Sequence, residues 1–383
     1  MTVTAAILPE TQIALVQAPS SSSKIPLALS KNVPIPPLPS PDHVLVRVLA
    51  VALNPTDHKM PTHFPMPGST AGCDFCGIVV SSTASQSNQR RSPPPPPGTR
   101  VCGAVYAYNP EDPLTGAFAE YVVADSRLLL RVPDHWTDLH AAALGGIGWG
   151  TAGLALWGSD AMGLEGRPAR PVAGGPPVLV YGGATATGTM ACQLLKLSGY
   201  HPIAVTSKTS AALATRFGAA DTVSYTSSKC LDDIKGLLAK LPQPAPLRHA
   251  LDCITDPESA AVCFGALSRT GGRYACLELF DEAWRSRRAV RVGVIMAYEL
   301  WGARVILDDT NSGAAYSRAA SPEKLQATIA WADEMQDLLD KGLVDNHPVH
   351  EVEGKWDGIM NGLGMLQRGE VRGSKLVIRV SGT

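Results

Sequence analysis

The chain of 383 residues is too long for one ordinary domain and long enough for two, each able to bury a core of its own. Its formal net charge is −1 and charged residues make up 17%, so it carries no broad basic field that would draw it to nucleic acid or to an anionic membrane. The N-terminus MTVTAAILPETQIALVQ lacks a basic stretch followed by an apolar run, no uninterrupted apolar stretch of roughly 18 residues occurs, and eight cysteines are scattered along the chain; these features predict a cytoplasmic protein with reduced thiols.

Residues 11–55 carry alternating, β-branched runs (IALVQ, HVLVRVLAVALNP) broken by Pro-rich turns, and 98–132 continue the pattern, which predicts antiparallel strands. Between them SSTASQSNQRRSPPPPPG reads as an exposed hairpin excursion, because a polar and then polyproline segment cannot pack as a strand. At Asp138 the texture changes to a helix-forming run interrupted by glycines, DLHAAALGGIGWGTAGLALWG, followed by the Gly/Pro-rich GLEGRPARPVAGGPP. Then strand and helix alternate: VLVYGG with TMACQLLKLSGY, PIAVTS with ALATRFGA, TVSY with LDDIKGLLAKL, HALDCI with ESAAVCFGALSRTGG, and finally RYACLEL. Such alternation needs crossover helices and predicts an α/β fold with a doubly wound parallel sheet. The tail returns to helix near 323–342, strand at HPVHEV, helix across WDGIMNGLGMLQRG and strand at KLVIRV. In its first helix Leu325, Ile329, Ala332, Gln336 and Leu339 nearly hold one stripe, so the tail is expected to rejoin the N-terminal domain. The expected division is 1–155, 156–310 and a returning segment 311–383.

The sharpest motif is VLVYGGATATGTMACQLLKLSGY, in which strand 178–181 feeds a turn with Gly182, Gly183 and Gly188 before a helix. Glycines let such a turn approach a pyrophosphate, and the helix N-terminus offers free N–H groups and a positive dipole end. The spacing is not a strict GxGxxG, so the placing of strand and helix carries more weight than the glycine count. At the end of the next strand, where a carboxylate would grip the ribose 2′-OH of NAD, PIAVTSKTS offers Ser207, Lys208 and Ser210 and no acid. A cation and hydroxyls suit a 2′-phosphate, so NADPH is the expected cofactor; the plainer alternative for Lys208 is a solvated loop lysine. Tyr225, ending the third strand, could bond the same phosphate and is equally consistent with a core tyrosine.

A catalytic zinc site needs three protein ligands and an open position. GCDFCGIVV offers Cys73 and Cys76 after His63, with no second cysteine pair, which predicts no metal. No Gly-x-Ser-x-Gly elbow is present either, and hydride transfer from a reduced nicotinamide fits the remaining parts.

AVALNPTDHKM, GCDFCGIV, GAFAEYVVAD, AAALGGIGWGTAGLAL, the Gly-rich segment above and KLVIRV together resemble the zinc-free quinone-reductase branch of the medium-chain dehydrogenase/reductases. Within it, NPTDHKM, YGGATATGT, HALDCIT and RGEVRGSKLVIRV look most like the fungal trans-acting enoyl reductases, which partner iterative polyketide synthases and hybrid polyketide–peptide synthetases. The resemblance implies a GroES-like, β-rich catalytic domain joined to a Rossmann domain with NADPH between them. It implies that the NPTDHKM loop (Thr56, Asp57, His58, Lys59) touches the nicotinamide half and that Ala184, Thr185, Ala186, Thr187, Gly188, Thr189, Met190 and Ala191 hold the pyrophosphate. Ser207, Lys208, Thr209, Ser210 and Tyr225 would hold the 2′-phosphate end, with Leu277, Glu278, Arg372 and Gly373 closing over the cofactor. The acyl pocket would be lined by Ala152, Gly153, Leu154, Ala155, Leu156, Trp157, Gly158 and Ser159 and by Tyr298, Glu299, Leu300, Trp301 and Gly302, with Thr151 beside the reacting thioester.

The reaction so implied is hydride transfer to the β-carbon of an α,β-unsaturated polyketide thioester on a carrier domain, followed by protonation of the α-carbon. Lys59 and Thr151 are the candidates for polarising the substrate, where an enolate oxygen needs preorganised donors; cofactor or packing contacts are the alternative. Arg285, Arg287, Arg288 and Arg291 form the densest positive run and could meet an acidic carrier face, or simply solvate a helix. Two other readings stay open: a stand-alone quinone or enone reductase acting on free small molecules, and a non-catalytic cofactor-binding scaffold. The resemblance points to a monomer.

Overall fold

The computed structural model describes residues 8–19, 25–82, 93–241, 245–307 and 315–381. The N-terminal half supplies β1 (Thr11–Gln17), β2 (Leu27–Pro34), β3 (His43–Ala52), β4 (Asp74–Ser82), β5 (Arg100–Ala104), β6 (Tyr121–Asp125) and β7 (Leu130–Arg131). β1 and β2 form an antiparallel pair. The others build a seven-stranded sheet in the order β14-β15-β3-β4-β5-β7, with β6 added to β3; its β14 (Val349–Glu351) and β15 (Lys375–Arg379) come from the far end of the chain. β15 runs antiparallel to β3, matching Val377 to Ala52 and Arg379 to Ala50. The hairpin excursion expected at 81–98 falls largely on 83–92, outside the described residues.

The second sheet holds β8 (Pro177–Tyr181), β9 (His201–Thr206), β10 (Asp221–Ser224), β11 (His249–Asp252), β12 (Gly272–Cys276) and β13 (Val290–Val294). All six run parallel, in the order β10-β9-β8-β11-β12-β13. β8 is buried at every position, as a central strand covered on both faces must be. The crossovers are α4 (Ala186–Leu197), α5 (Ala211–Arg216), α6 (Cys230–Lys240) and α7 (Pro257–Ala266). Strand order reverses between β8 and β11, and a doubly wound sheet opens its ligand crevice beyond the strand ends at such a point.

Three details depart from the sequence reading. The NPTDHKM segment is not a loop: Asn54 and Asp57 close a capping box, Pro55 takes the first turn, and α1 runs Pro55–His63. The sixth parallel strand, β13, lies in the arginine-rich run where no strand was expected. The buried stripe of the long helix Pro322–Asp340 is Thr328, Trp331, Met335 and Leu338, with Ala332 and Leu339 beside it, while Gln336 faces β7 and exchanges hydrogen bonds with the Arg131 backbone.

The apolar run from Asp138 forms α2 (Asp138–Leu144) and α3 (Ile147–Trp157), broken where Gly145 takes φ 47°. Together they are long and apolar enough to cross a membrane by composition alone, yet most of their residues are buried inside the fold. They pack with the long helix and the first Rossmann helix in one core containing Trp149, Trp331, Met190 and Leu194, which joins the two sheets.

A charged cluster lies within the N-terminal sheet. Asp74, fully buried at the start of β4, accepts N–H groups from Gly146 (2.8 Å) and Ile147 (2.9 Å) at the start of α3, and the Asn54 amide at 2.9 Å. Its other partner is the Lys375 ammonium at 3.2 Å, which also bonds Asn54 Oδ1. Breaking a buried ion pair costs about 3–5 kcal/mol, and the three N–H donors left to Asp74 put Lys375→Met near the lower end, at about 3 kcal/mol. Guanidinium unfolding should show that loss as a lower midpoint with an unchanged slope.

Candidate active site

The cleft between the two sheets has a volume of about 1710 Å³. Ligand pockets ordinarily measure about 300–1,000 Å³, so this one has room for a dinucleotide and a second molecule together. On the Rossmann side its wall is Gly182, Ala184, Thr185, Ala186 and Thr187 after β8, Ser207, Thr209 and Ser210 after β9, Tyr225 after β10, Cys253 and Ile254 after β11, and Leu277 and Glu278 after β12. These are the carboxyl ends of five parallel strands, on both sides of the switch point.

The turn after β8 is shaped by its glycines. Gly182 takes φ 76°, and a Cβ on Gly188 would lie 2.2 Å from the Gly182 carbonyl oxygen, so helix α4 starts as close to the strand end as backbone allows. Thr185 caps α4 by accepting the Gly188 N–H at 3.0 Å. A tight cradle ending at a helix N-terminus suits a pyrophosphate. Ser207 opens a short turn in which its hydroxyl reaches Ser210 Oγ (3.0 Å), Lys208 stands exposed at the rim, and Tyr225 is 45% exposed, which excludes the core-tyrosine alternative. Thr189, Met190 and Ala191 do not reach the wall; they are buried along α4, with the Thr189 hydroxyl 3.0 Å from His347 Nδ1. Gly183 is also absent from the wall, packed against Ala204.

The opposite wall begins with α1, which presents Thr56, Lys59, Met60 and His63, followed by Phe64. Asp57 is turned inward and fully buried, its Oδ2 accepting the Asn54 N–H at 2.7 Å while Oδ1 lacks a hydrogen-bond partner. Burial pushes this carboxyl up to about 7. His58 is outside the wall, and burial pushes its imidazole down to about 4; His347, in the wall, is likewise pushed down to about 4. Both are neutral near pH 7 and offer an anion no charge. Lys59 pairs with Glu278 across the cleft, linking α1 to the end of β12. Arg372, Gly373 and Lys375 complete this side.

The expected acyl lining requires correction. α3 faces the cleft only with Ile147, Gly148 and Thr151, one helical turn. Ala152, Ala155 and Leu156 then pass into the core, Gly153 abuts the Trp331 indole, and Leu154 packs against the same core. Trp157 stacks on Trp331 at 4.5 Å, Gly158 ends the helix, and the Ser159 carbonyl accepts from Arg273. Of the second group only Tyr298 lines the cleft. Glu299 pairs with Lys324 at 2.5 Å, Leu300 packs on Gly150, Trp301 stacks on Tyr106, and Gly302 abuts Leu325. The apolar lining is instead Met60, Phe64, Ile295, Met296, Leu307, Tyr316 and Leu366. Sequence reasoning missed these residues and the Asn54–Asp74–Lys375 cluster. The one available signal was a lysine opening the strand KLVIRV.

Cys73 and Cys76 part company: Cys76 is paired in register with Cys102, whereas the Cys73 sulfur lies 3.9 Å from the Tyr298 hydroxyl. Among the described residues no three His, Cys, Asp or Glu side chains converge as metal ligands would.

Residues 40–134 match the alcohol dehydrogenase GroES-like domain. Solved structures similar along nearly the whole chain include the CurK enoyl reductase (TM-score 0.69, 15% identity, 96% of this chain and 99% of that one) and a quinone oxidoreductase of Pseudomonas syringae pv. Tomato DC3000 (TM-score 0.68, 18% identity, 96% and 100%). Identities this low speak for the fold alone, and it is that of the medium-chain dehydrogenase/reductases, a GroES-like domain and a Rossmann domain facing one cleft. Sequence likeness goes further. The chain is 52% identical over 370 residues to trans-enoyl reductase sthE of Phaeosphaeria nodorum (97% of this chain, 98% of that protein) and 50% identical over 373 residues to trans-enoyl reductase calK of Penicillium decumbens (96% and 98%). It belongs to the trans-enoyl reductase family and is an oxidoreductase with a nicotinamide cofactor.

Gly188→Ala tests the cradle, because its Cβ would collide with fixed backbone. Overpacking of this kind costs about 1–3 kcal/mol, and dinucleotide affinity measured by fluorescence titration should fall at least about tenfold as the turn opens.

Proposed function

We propose that the chain is a trans-acting enoyl reductase that uses NADPH to reduce the α,β-double bond of a polyketide thioester carried by a separate polyketide synthase or hybrid synthetase. The observation that carries this reading is 52% identity to a named trans-enoyl reductase over 97% of the chain, joined to a cleft with a phosphate cradle at one end and an apolar lining at the other. Bound across the strand ends, the nicotinamide supplies the hydride. The turn Gly182–Gly188 holds the pyrophosphate, and Ser207, Lys208, Thr209, Ser210 and Tyr225 hold the 2′-phosphate. Lys59 and Thr151, projecting from α1 and α3 on the catalytic side, flank the reacting carbons and present an ammonium and a hydroxyl where enolate charge develops. The acyl chain lies along Met60, Phe64, Met296, Leu307 and Tyr316 in place of the residues first expected.

The carrier-facing surface is smaller than the sequence suggests. Arg285 is committed to Glu282 and the Val290 carbonyl, and Arg287 to the carbonyls of Phe264, Leu267 and Ser268, which leaves Arg288 and Arg291 as the exposed members of the run. The same contacts support a monomer. The Val290 and Val294 carbonyls of edge strand β13 accept from Arg285 (2.8 Å) and Arg318 (3.4 Å), so the edge is poorly suited to pairing with a second sheet.

Reconstitution decides among the readings: a carrier-loaded enoyl chain should be reduced at least about tenfold more efficiently in kcat/KM than the free thioester, a gain of about 1.4 kcal/mol, and far better than simple quinones. Equal turnover of free enones and quinones would favour the stand-alone reductase, and no NADPH oxidation with any of them the scaffold. For the cofactor, Lys208→Ala removes a charged hydrogen bond of about 1.5–3 kcal/mol, so NADPH affinity should fall about 10- to 100-fold while NADH affinity stays unchanged.

A further inference from the structure

The reduction needs a proton at the α-carbon as well as a hydride at the β-carbon, and the cleft wall holds few groups able to give one. Lys59 is half-exposed and paired with Glu278. Tyr316, whose hydroxyl accepts the Leu279 N–H at 2.9 Å, is only partly buried, and Tyr225 stands at the 2′-phosphate end. His347 is tied to Thr189. Tyr298 differs from all of these. It lines the cleft at only 2% exposure, its ring is stacked on Tyr106 at 4.2 Å, and its hydroxyl lies 3.5 Å from Thr56 Oγ1 on the cleft side and 3.9 Å from Cys73 Sγ behind. Cys73 is also fully buried and its thiol adjoins the carboxyl of Asp57, itself fully buried, whose Oδ1 lacks a hydrogen-bond partner.

We propose that Tyr298 is the acid that protonates the α-carbon and that Cys73 and Asp57 resupply its proton through a chain closed to water. This inference rests on the enoyl-reductase reading. In the step the Tyr298 O–H bond breaks as the α-carbon C–H bond forms, leaving a tyrosinate; the tyrosinate takes the Cys73 S–H proton, and the thiolate takes the Asp57 O–H proton. When product leaves and water enters the cleft, a solvent proton returns by the same route to Asp57. The relay begins at a carboxyl and ends at a far more basic carbon, so the net transfer is downhill. Burial keeps the Tyr298 phenol and the Cys73 thiol protonated, and Asp57, raised by burial and by Asp74 and lowered by the Asn54 N–H, Lys375 and the Cys73 thiol, holds its proton near neutrality. Tyr108, whose hydroxyl donates to the Asp57 carbonyl oxygen at 2.9 Å, closes the chain on its inner side.

The test uses the full chain with NADPH and an enoyl-pantetheine thioester in D2O. Wild type should place deuterium on one face of the α-carbon. Tyr298→Phe keeps the stacked ring and should lower kcat about 10²-fold, the low end of general acid catalysis, with deuterium on both faces and an unchanged dissociation constant for NADPH. Cys73→Ala should behave the same way and Cys73→Ser should recover, because a hydroxyl can pass the proton. Independently of turnover, the free protein should show an infrared band of a protonated carboxyl that Asp57→Asn removes. A Tyr298→Phe enzyme within about threefold of wild type and still selective for one face overturns the proposal, as that is far below the range for a lost general acid. Should Tyr298→Phe not fold, equal activity of Cys73→Ala and Cys73→Ser, or an infrared spectrum unchanged by Asp57→Asn, overturns it equally. A wild type that reduces no enoyl thioester while binding NADPH defeats the enoyl-reductase reading itself, a result distinct from any of these.

Discussion

The site depends on one buried carboxylate. Removing Asp74 from water would cost several kcal/mol if it were unpaired, and the fold answers with four donors from the starts of three stretches: Asn54 before α1, Gly146 and Ile147 at the head of α3, and Lys375 opening β15. Each of these stretches then delivers residues to the cleft: Thr56 and Lys59 from α1, Thr151 one turn into α3, and Leu376 from β15. The ends of three elements, far apart in sequence, are thereby held to a common point at hydrogen-bond precision. A catalytic constellation needs positioning of that kind, which apolar packing alone sets less sharply. Asp74 takes two of the N–H groups at the head of α3, so that helix end has fewer donors to offer an anion.

Across the cleft the restraint is weaker, and usefully so. The two sheets share a core built on Trp149, Trp331 and Met190, which fixes the base of the cleft. At its mouth the link is Lys59 with Glu278, both about 40% exposed. An ion pair so exposed contributes little, around 0–1 kcal/mol, so a dinucleotide entering between the walls can separate it and expose the Lys59 ammonium to its own charge or to the substrate. A firm base with a soft mouth lets a long cofactor enter without loosening the chemistry beneath.

What could be read in the sequence follows from how local the determining physics is. The parallel strands VLVYGG, PIAVTS and HALDCI are short apolar runs bounded by turns, and the strand–turn–helix around Gly182, Gly183 and Gly188 is set by sterics within a dozen residues, so both were legible. β13 was not, because Arg291 within it and Arg287 before it disguise an edge strand; Arg287 is absorbed by the Leu267 and Ser268 carbonyls, and Arg291 stays exposed. The start of α1 was hidden by Pro55 and by two polar residues that turn out to be its caps. The acyl lining failed for a different reason: in the Ala/Gly-rich α3 every face looks alike, and which turn meets the cleft is decided by Asp74, seventy residues earlier, capping its head. Asp57 was grouped with Thr56 and Lys59, which line the cleft, although helical periodicity turns it to the opposite face.

The polarity of the cleft runs one way, and this gradient fixes how a substrate must lie. Hydroxyls gather at the Rossmann end around Ser207, Thr209, Ser210 and Tyr225, with Lys208 exposed outside the wall, while Met60, Phe64, Met296 and Leu307 gather between α1 and the residues after β13. A dinucleotide phosphate placed in the apolar end would lose its hydration without compensation, and an acyl chain at the rim would stay wet, so the two ligands sort to opposite ends. They meet where the linings change, among Thr56, Lys59, Thr151 and Tyr298. Tyr298 and Thr151 are each under a tenth exposed before any ligand arrives, whereas Lys59 beside them is about 40% exposed. Beside Tyr298 and Thr151, charge developing on a substrate oxygen would be screened by little solvent, so each donor would count for more than it would at the rim.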